Sequence, residues 1–451
     1  MGMRLRMKIM LLLNVVSMNN SYGNPDFNPD TTYNDGLFQY VVETDGDDYW
    51  CVCEKVLNKA LPYLSLPDTV SFEGRVMPVR AIADSAFLRC NAQVIKMPST
   101  VKKIGNYAFG LCIYLKEIYI PDEVCFIGSG AFMYCYRLET VNIPSSLRSI
   151  EPLTYCSCLN LKKLIIPEGI EIIKDNAFSY CGIEEIHIPS SVTIIGSEKN
   201  NHDVFYGCEN IIKMTVDSKN KVFDSRNHCN AIIETSTNML ISGCGTTKIP
   251  RTVKRISSGA FGHRDNLEKI FIPRRVNSIA DGAFKGCSNL MTIKVSRLNG
   301  TFDSRSNCNA IILSERNRLH TGCNTTIIPS DIKAIDDYAF SGLSMDFIVI
   351  PDYITEINTG AFQDCTRLKY ISLPSSLQYI GPSAFSGCSS LMFVDVPSGV
   401  SSIKNNTFKD CNSLKSVKIP YSDIDVDSTA FSGCASLIDV FVNDFVYDYK
   451  Q

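Results

Sequence analysis

The cysteines are the residues of this chain whose number and spacing first suggest chemistry. Nineteen occur among 451 residues. Eleven of them lie three residues after an aromatic residue in a recurring motif, at positions 90, 112, 135, 158, 181, 208, 287, 365, 388, 411 and 434. Redox and zinc sites commonly use the spacing C-x-x-C, which occurs nowhere in this chain. A cysteine that returns at one place in successive repeats is typical of a packed core. We therefore predict a column of inert, buried thiols.

Two further pairs of cysteines have a spacing that suits a disulfide. Cys229 and Cys244 are 15 residues apart, as are Cys308 and Cys323, and each pair brackets a predicted hairpin symmetrically. Directly opposed strand residues have Cβ atoms about 4.5–5.5 Å apart, somewhat beyond the usual disulfide separation. The spacing leaves a disulfide and free packing both open, and it favours free packing.

Histidine and aspartate give no catalytic constellation. His228 lies beside a cysteine, but Asn307 takes its place in the sister segment, which argues against a metal or catalytic role. Asp224 and Asp303 recur in an F-D-S-R motif, where capping of a turn is favoured over a calcium site that would need more oxygen ligands. The chain has no serine elbow, paired histidine ligands or glycine-rich phosphate loop. We therefore predict no enzyme activity, no metal and no cofactor.

A repeat of 23 residues must position these side chains. Its unit reads I-x-x-x-A-F-x-x-C-x-x-L-x-x-I-x-I-P-x-x-V-x-x-I. The segment L-x-x-I-x-I ends in the alternation of a short strand, and the proline after it lacks the N–H needed to continue that strand. The segment A-F-x-x-C is too short for an independent helix and predicts a helical or 3₁₀ turn. A unit of this size cannot bury its own apolar face, so the coils must stack on one another.

Two segments, AFGLCIYLKEIYIPDEVCFI and AFQDCTRLKYISLPSSLQYI, carry the unit clearly. It resembles the leucine-rich repeat of the BspA type, a family of cell-surface proteins from anaerobic bacteria and some protist parasites. The resemblance covers about residues 81–443. It implies an α/β repeat in the form of a curved, right-handed solenoid, with a parallel β-sheet on the concave side and short turns on the convex side. It also implies adhesion or binding rather than catalysis.

Two insertions interrupt the regular spacing of the solenoid. The interval between successive aromatic residues is 56 instead of 23 at two places, and the inserted stretches, assigned to residues 217–245 and 296–324, match each other. In each, two apolar segments flank a polar turn, which predicts a β-hairpin that projects from the solenoid. Strands at 246–249 and 325–328 are then predicted to rejoin the sheet, which gives about 15 coils in all.

The two ends of the chain differ from the repeats. Residues 22–80 alternate as strands do and predict an N-terminal β cap, while residues 444–451 are assigned as a C-terminal tail. At the start, three basic residues precede an apolar stretch at 9–16, the order of a secretory signal peptide, which we place at 1–21. An unstructured start is the alternative interpretation of this segment.

The face of the sheet that points to solvent is the candidate binding surface. When the I-x-I residues point inward, the positions before and between them point outward, and several of these positions are apolar. Exposed aromatic rows are typical of a binding surface, and the alternative is cross-strand stacking that only stabilises the sheet. The predicted partner-binding residues are Phe347, Tyr370, Phe393, Val349, Asp395, Phe271 and Tyr119.

Charge and hydropathy narrow the classes of partner. Lys and Arg number 44 against 47 Asp and Glu, and no basic cluster follows the first ten residues, so nucleic acid is not a predicted partner. No run of about 18 apolar residues occurs, so no transmembrane segment is predicted. We predict a monomeric, exported or cell-surface recognition protein that binds a protein or glycan of a host cell or matrix. A cytoplasmic leucine-rich-repeat scaffold is the alternative, and an enzyme with a site on the solenoid is a more distant one.

Overall fold

The structure, a computed structural model, describes residues 32–197, 203–421, 424–442 and 445–448. The predicted signal peptide at 1–21 lies outside the described residues. The chain forms a parallel β-solenoid of about 15 coils, which confirms the predicted fold. Two ladders of parallel strands run along the solenoid, and we call them ladder A and ladder B.

Ladder A consists of the strands at the I-x-I end of the L-x-x-I-x-I segment, most of which precede the repeat proline, and it corresponds to the predicted concave sheet. In most of these strands an aliphatic residue points inward and is buried, as Ile95 and Ile118 are, while its neighbours are more exposed. A single bridge between Lys163 and Glu185 continues the ladder between two runs of strands. The strands are Tyr63–Ser65, Val94–Lys96, Glu117–Ile118, Thr140–Val141, Glu185–Ile188, Lys213–Val216, Lys269–Ile272, Thr292–Val295, Phe347–Val349, Tyr370–Ser372, Phe393–Asp395, Ser416–Ile419 and Asp439–Val442.

Ladder B was not predicted as a sheet. Most of its strands are two residues long and come from the V-x-x-I end of the unit, just before the Ala-Phe turn, and each run pairs in parallel one coil apart. The last isoleucine of the unit is buried here, as at Ile104 and Ile357. The strands are Arg75–Ile82, Lys103–Ile104, Phe126–Ile127, Ser149–Ile150, Ile172–Ile173, Ile194–Ile195, Met239–Gly243, Arg255–Ile256, Ser278–Ile279, Arg318–Thr321, Ala334–Ile335, Glu356–Ile357, Tyr379–Ile380, Ser402–Ile403 and Asp425–Val426.

The helical part of the predicted α/β repeat is reduced to a single turn. The A-F-x-x-C segments form hydrogen-bonded turns, and successive turns are joined by bonds such as Phe109 N to Ala131 O at 2.8 Å. In the described part of the chain there is no α-helix, and the three 3₁₀ helices are Asp203–Phe205, Arg226–His228 and Arg305–Asn307. Within those same residues, no helix has the length and apolar character needed to span a bilayer.

The aromatic residues of the repeat form stacked rings along the core. Phe109 and Phe132, for example, have ring centroids 5.2 Å apart with planes 6° from parallel. The stack is interrupted in both insertions. There Gly243 and Gly322 take the place of the aromatic residue. The backbone bonding shows this equivalence: Gly243 N donates to Ala260 O at 2.8 Å, just as Phe109 N donates to the alanine carbonyl oxygen of the next coil.

The two insertions differ from the predicted projecting hairpins. Each contributes three strands, in chain order Phe223–Asp224, Ala231–Glu234 and Met239–Gly243, then Phe302–Asp303, Ile311–Leu313 and Arg318–Thr321. Within an insertion these strands pair antiparallel, and the last one pairs in parallel with the next strand of ladder B. Ile233 and Leu240 are fully buried in the core. The hairpins therefore lie within the stack of coils, because both their strands carry apolar side chains that the core can cover.

The strands predicted at 246–249 and 325–328 are absent, although both segments are described. A tight turn stands at each place. The first is closed by Thr247 N to Cys244 O at 3.0 Å and by Cys244 N to Thr247 Oγ1 at 2.8 Å. The second has the same two bonds between Thr326 and Cys323, at 3.1 and 2.7 Å. The threonine hydroxyl thus satisfies a backbone group that a strand would have paired. Ladder A is consequently interrupted on these two coils.

Both ends of the solenoid carry additional strands. At the N-terminal end, Thr32–Asn34, Phe38–Asp45 and Asp48–Val56 form an antiparallel sheet that continues into ladder B through Arg75–Ile82. The strand Thr69–Phe72 pairs antiparallel with Arg75–Ile82. Phe38 of this sheet lies 6.0 Å from the first ring of the aromatic stack. In the segment assigned as a C-terminal tail, the strand Phe445–Asp448 pairs antiparallel with the last strand of ladder A.

Candidate functional site

Four exposed apolar side chains lie together on ladder A, and we call them the aromatic patch: Phe347, Val349, Tyr370 and Phe393. Their exposed fractions are 73%, 72%, 59% and 41%. Phe347 and Tyr370 are register partners on paired strands, and the strand of Phe393 follows on the next coil. A row of three aromatic residues on successive coils therefore faces solvent.

Strand alternation explains why these side chains point outward. Ile348, Ile371 and Val394 stand between or beside the patch residues and are buried in the core. Since neighbouring residues of a strand point to opposite faces, the flanking aromatic residues must face solvent. The core thus fixes the direction of the patch residues, and the rigid backbone of the coils holds them in line.

An interruption of ladder A borders the aromatic patch. Where the chain turns after the second insertion, a cavity of about 380 Å³ opens, lined by Ile327, Met345, Phe347 and Val349 among others. Ile327 is largely exposed. Its position in the repeat is the one that Val349 takes on the next coil, so the sequence carried the signal for this extension of the patch. The cavity itself depends on the turn at 325–328 and could not be predicted.

Of the other predicted partner-binding residues, the structure places Asp395 beside the patch and separates Phe271 and Tyr119 from it. Asp395 is exposed beside the patch, and its register partner on the next strand is Lys418. Phe271 is exposed on the same face three coils earlier, and Tyr119 is exposed nine coils earlier. At about 4.8 Å per coil, Tyr119 lies roughly 40 Å from the patch. Five of the seven predicted residues therefore form one surface.

The cysteine column is buried and has a hydrogen-bonding role that sequence reasoning missed. In ten coils the thiol donates to the carbonyl oxygen of the aromatic residue one coil earlier, as Cys112 does to Phe87 O at 3.1 Å and Cys388 to Phe362 O at 3.1 Å. Burial raises the pKa of Cys112 and of Cys365 to about 12. These two thiols therefore stay neutral at neutral pH. Each of the ten thiols links two coils through its hydrogen bond.

The remaining candidate groups take structural roles. Cys229, Cys244, Cys308 and Cys323 are all free and buried, so neither pair forms a disulfide. The carboxylate of Asp303 accepts hydrogen bonds from Arg305 N at 2.9 Å and from a serine hydroxyl of the same hairpin. Burial opposes ionisation, but hydrogen bonds outweigh it and lower the pKa of Asp303, the largest lowering effect coming from the Arg305 side chain, whose Nε donates to the carboxylate at 2.9 Å.

Arg264 is a buried charge that sequence reasoning overlooked. It takes the place of the column cysteine after Phe261 and is fully buried. Its guanidinium donates to Gly243 O at 2.9 Å, Cys208 O at 3.1 Å and Phe205 O at 2.9 Å. It thus joins the coils on the two sides of the first insertion. The break in the cysteine column was the signal that marked this position.

Comparison with known proteins places the chain in a family. A family model described as a BspA type leucine rich repeat region matches in six copies, over residues 80–212, 242–321 and 317–438. A search of curated proteins found no match.

Similar solved structures include three leucine-rich-repeat or antigen proteins. A leucine rich cell surface protein from Faecalibacterium prausnitzii is 23% identical, covering 91% of this chain and 94% of that chain, with a TM-score of 0.45. The pneumococcal vaccine antigen PcpA is 16% identical, with coverage of 92% and 94% and a TM-score of 0.45. A leucine-rich repeat protein from Bacteroides ovatus is 21% identical, with coverage of 90% and 94% and a TM-score of 0.32. Because the repeat model spans most of the chain, the protein belongs to the BspA-type leucine-rich-repeat family.

Proposed function

We propose that this chain is a non-enzymatic recognition protein that holds a macromolecular partner on ladder A. The observation that carries the proposal is the aromatic patch, a row of exposed apolar side chains on three successive coils. Membership of the BspA-type family supports a binding role for the repeats. The proposal extends this role to adhesion by a monomer that is exported or held at the cell surface, with a host-cell or matrix component as partner.

The physical case rests on contact area and rigidity. Aromatic side chains supply large contact area at a small cost in conformational entropy, and clusters of them tend to dominate binding free energy. The two ladders fix the backbone before binding, so little ordering remains to be done when the partner arrives. Polar groups border the patch, including Asp395 and the ion pair of Arg367 with Asp346 at 2.9 Å, as in the rim of an interface.

The test removes the aromatic rings and leaves the backbone intact. We expect Phe347→Ser, Tyr370→Ser and Phe393→Ser together to weaken binding of the purified protein to host cells or matrix proteins by about tenfold or more. The matched control is Ile113→Ser, Tyr136→Ser and Leu159→Ser. These three residues also take one place on three successive coils and are exposed on another side of the repeat.

Circular dichroism and thermal melting establish that both variants fold. If the patch variant is folded and attaches as well as the parent protein, the aromatic patch is only sheet packing and the proposal fails. If the control variant loses binding to the same extent, the loss reflects general surface hydrophobicity, and the patch is not the partner site.

The free thiols favour a second candidate function, an intracellular scaffold for protein–protein interaction. All nineteen cysteines are free, and eighteen of them are buried. Proteins of reducing compartments keep their thiols in this state, whereas exported proteins often form disulfides. Cell fractionation with N-terminal sequencing distinguishes the two candidates: export with loss of about twenty residues supports the recognition protein, and an intact cytoplasmic chain supports the scaffold.

A further inference from the structure

A second groove on ladder A lies around Phe271 and differs chemically from the aromatic patch. The turn after the first insertion interrupts ladder A and leaves a cavity of about 620 Å³ lined by Lys248, Lys269, Phe271 and Lys294 among others. An adjoining cavity of about 600 Å³ shares Phe271 and Lys294 and reaches Arg297. The two cavities form one groove, which we call the basic groove and define by these five residues.

The basic groove concentrates positive charge on a chain that is weakly acidic as a whole. Lys248, Phe271 and Lys294 take the same place on three successive coils, so a cation stands on each side of the ring along the ladder. Lys269 lies two residues before Phe271 on the same face of its strand. All three lysines are exposed, and the chain carries a net charge of −3.

These cations have no acidic partner in the groove. Neither cavity is lined by an aspartate or a glutamate. Among the residues that the structure describes, no ion pair engages Lys248, Lys269, Lys294 or Arg297. Four unneutralised cations along one groove attract an anionic ligand and contribute little to the stability of the fold.

The other lining groups favour a saccharide over other anions. The ring of Phe271 is about half exposed and offers a flat apolar surface on which the C–H face of a sugar ring can stack. The side chains of Ser296, Asn307 and Asn309 line the same groove and supply hydroxyl and amide groups that pair with sugar hydroxyls. An acidic peptide would pair with the lysines, but its carboxylates would make no favourable contact with the aromatic ring between them. A nucleic acid would require a longer basic footprint.

We infer that the basic groove binds an anionic polysaccharide whose sugars carry carboxylate or sulfate groups. The lysines attract the acidic groups, Phe271 stacks on a sugar ring, and the polar side chains contact the hydroxyl groups. The inference goes beyond the proposed function, because the groove is centred three coils before the first coil of the aromatic patch and shares no residue with the patch.

Two kinds of oligosaccharide serve as probes of the basic groove. Hyaluronan oligosaccharides carry carboxylates, and chondroitin sulfate oligosaccharides carry both carboxylates and sulfates. Calorimetry on the full chain should detect binding of at least one of them, with affinity that falls as sodium chloride rises from about 50 to about 500 mM. Neutral dextran should not bind.

We expect Lys248→Gln, Lys269→Gln and Lys294→Gln together to weaken binding by about tenfold or more. Phe271→Ala should weaken it severalfold without changing the salt dependence.

A charge-matched control separates the groove from general electrostatics. Lys96→Gln, Lys116→Gln and Lys163→Gln remove the same charge from exposed positions on the N-terminal coils and should leave the affinity within about twofold of the parent. Equal losses in the two lysine variants would overturn the inference. So would binding of polyglutamate or single-stranded DNA as tight as that of the polysaccharides, or an unchanged affinity in Phe271→Ala.

The triple serine variant of the aromatic patch distinguishes this inference from the proposed function. It should bind the polysaccharide as the parent does, since its changed residues lie outside the basic groove. Loss of cell or matrix binding in that variant with polysaccharide binding retained supports two separate sites. Loss of polysaccharide binding in the same variant would contradict the assignment to the basic groove.

Discussion

Phe132 represents the contribution of a single residue to the aromatic stack. It is fully buried, and its ring centroid lies 5.2 Å from that of Phe109 and 5.4 Å from that of Tyr155. We expect Phe132→Ala to lower the free energy of unfolding by about 3–5 kcal/mol, since a large cavity opens between two coils. Phe126→Ala, at a partly exposed position, should cost less than about 1 kcal/mol. Denaturant melts measure both, and a Phe132→Ala value within about 0.5 kcal/mol of the parent would contradict the core assignment.

Cys125 provides an internal control for the buried thiols. It is exposed, whereas Cys112, Cys135 and Cys388 of the column are buried. Burial raises the pKa of Cys112 to about 12, so the reactive thiolate is scarce in the folded protein at about pH 8. We expect iodoacetamide to modify Cys125 in the native protein and the column cysteines only after denaturation, as read by mass spectrometry. Fast labelling of Cys135 in the folded protein would refute the buried column.

At the scale of the element, the inserted coils depend on a glycine where other coils have an aromatic ring. A Cβ at Gly322 would overlap the ring of Phe340. We expect Gly322→Ala to destabilise the protein by about 1–3 kcal/mol, and Phe340→Leu in the same chain to recover part of that loss, in a double-mutant cycle by urea unfolding. Gly300→Ala should be nearly neutral, because a Cβ at Gly300 would have no atom within 4 Å beyond its neighbours in the chain. Additive effects of Gly322→Ala and Phe340→Leu would show that the ring and the glycine do not compete for space.

The same elements mark how far the sequence can predict the structure. Ladder A follows from strand alternation and a proline that ends each strand, so the outward direction of Phe347 and Tyr370 was predictable. Ladder B was missed because two-residue strands give no alternation to detect. Whether a hairpin projects or packs depends on which neighbour covers it, and local pattern does not contain that information. The cavities beside Ile327 and Phe271 arise from those packed hairpins, and they were missed for the same reason.

At the scale of the molecule, the core divides into two clusters that meet in the first insertion. One cluster extends from Phe38 to Cys244 and the other from Cys229 to Leu437. Arg264 follows Phe261, the first aromatic ring after this junction, yet it donates hydrogen bonds to Phe205 O and Cys208 O in the other cluster. Because each coil of a solenoid contacts only its neighbours, this junction controls the coupling between the two halves.

Arg264→Leu tests that coupling. The substitution removes the guanidinium that donates to Gly243 O, Cys208 O and Phe205 O, and we expect the loss of these buried hydrogen bonds to lower the stability of the junction by about 3–5 kcal/mol. Native-state hydrogen exchange should then show that the two clusters lose protection at urea midpoints that lie further apart from each other than they do in the parent protein. Leu343→Met is the matched control, since Leu343 takes the same repeat position after the second insertion and is buried without a charge. If the two midpoints in Arg264→Leu stay as close together as in the control, backbone bonding alone couples the halves, and the buried guanidinium is not the link between them.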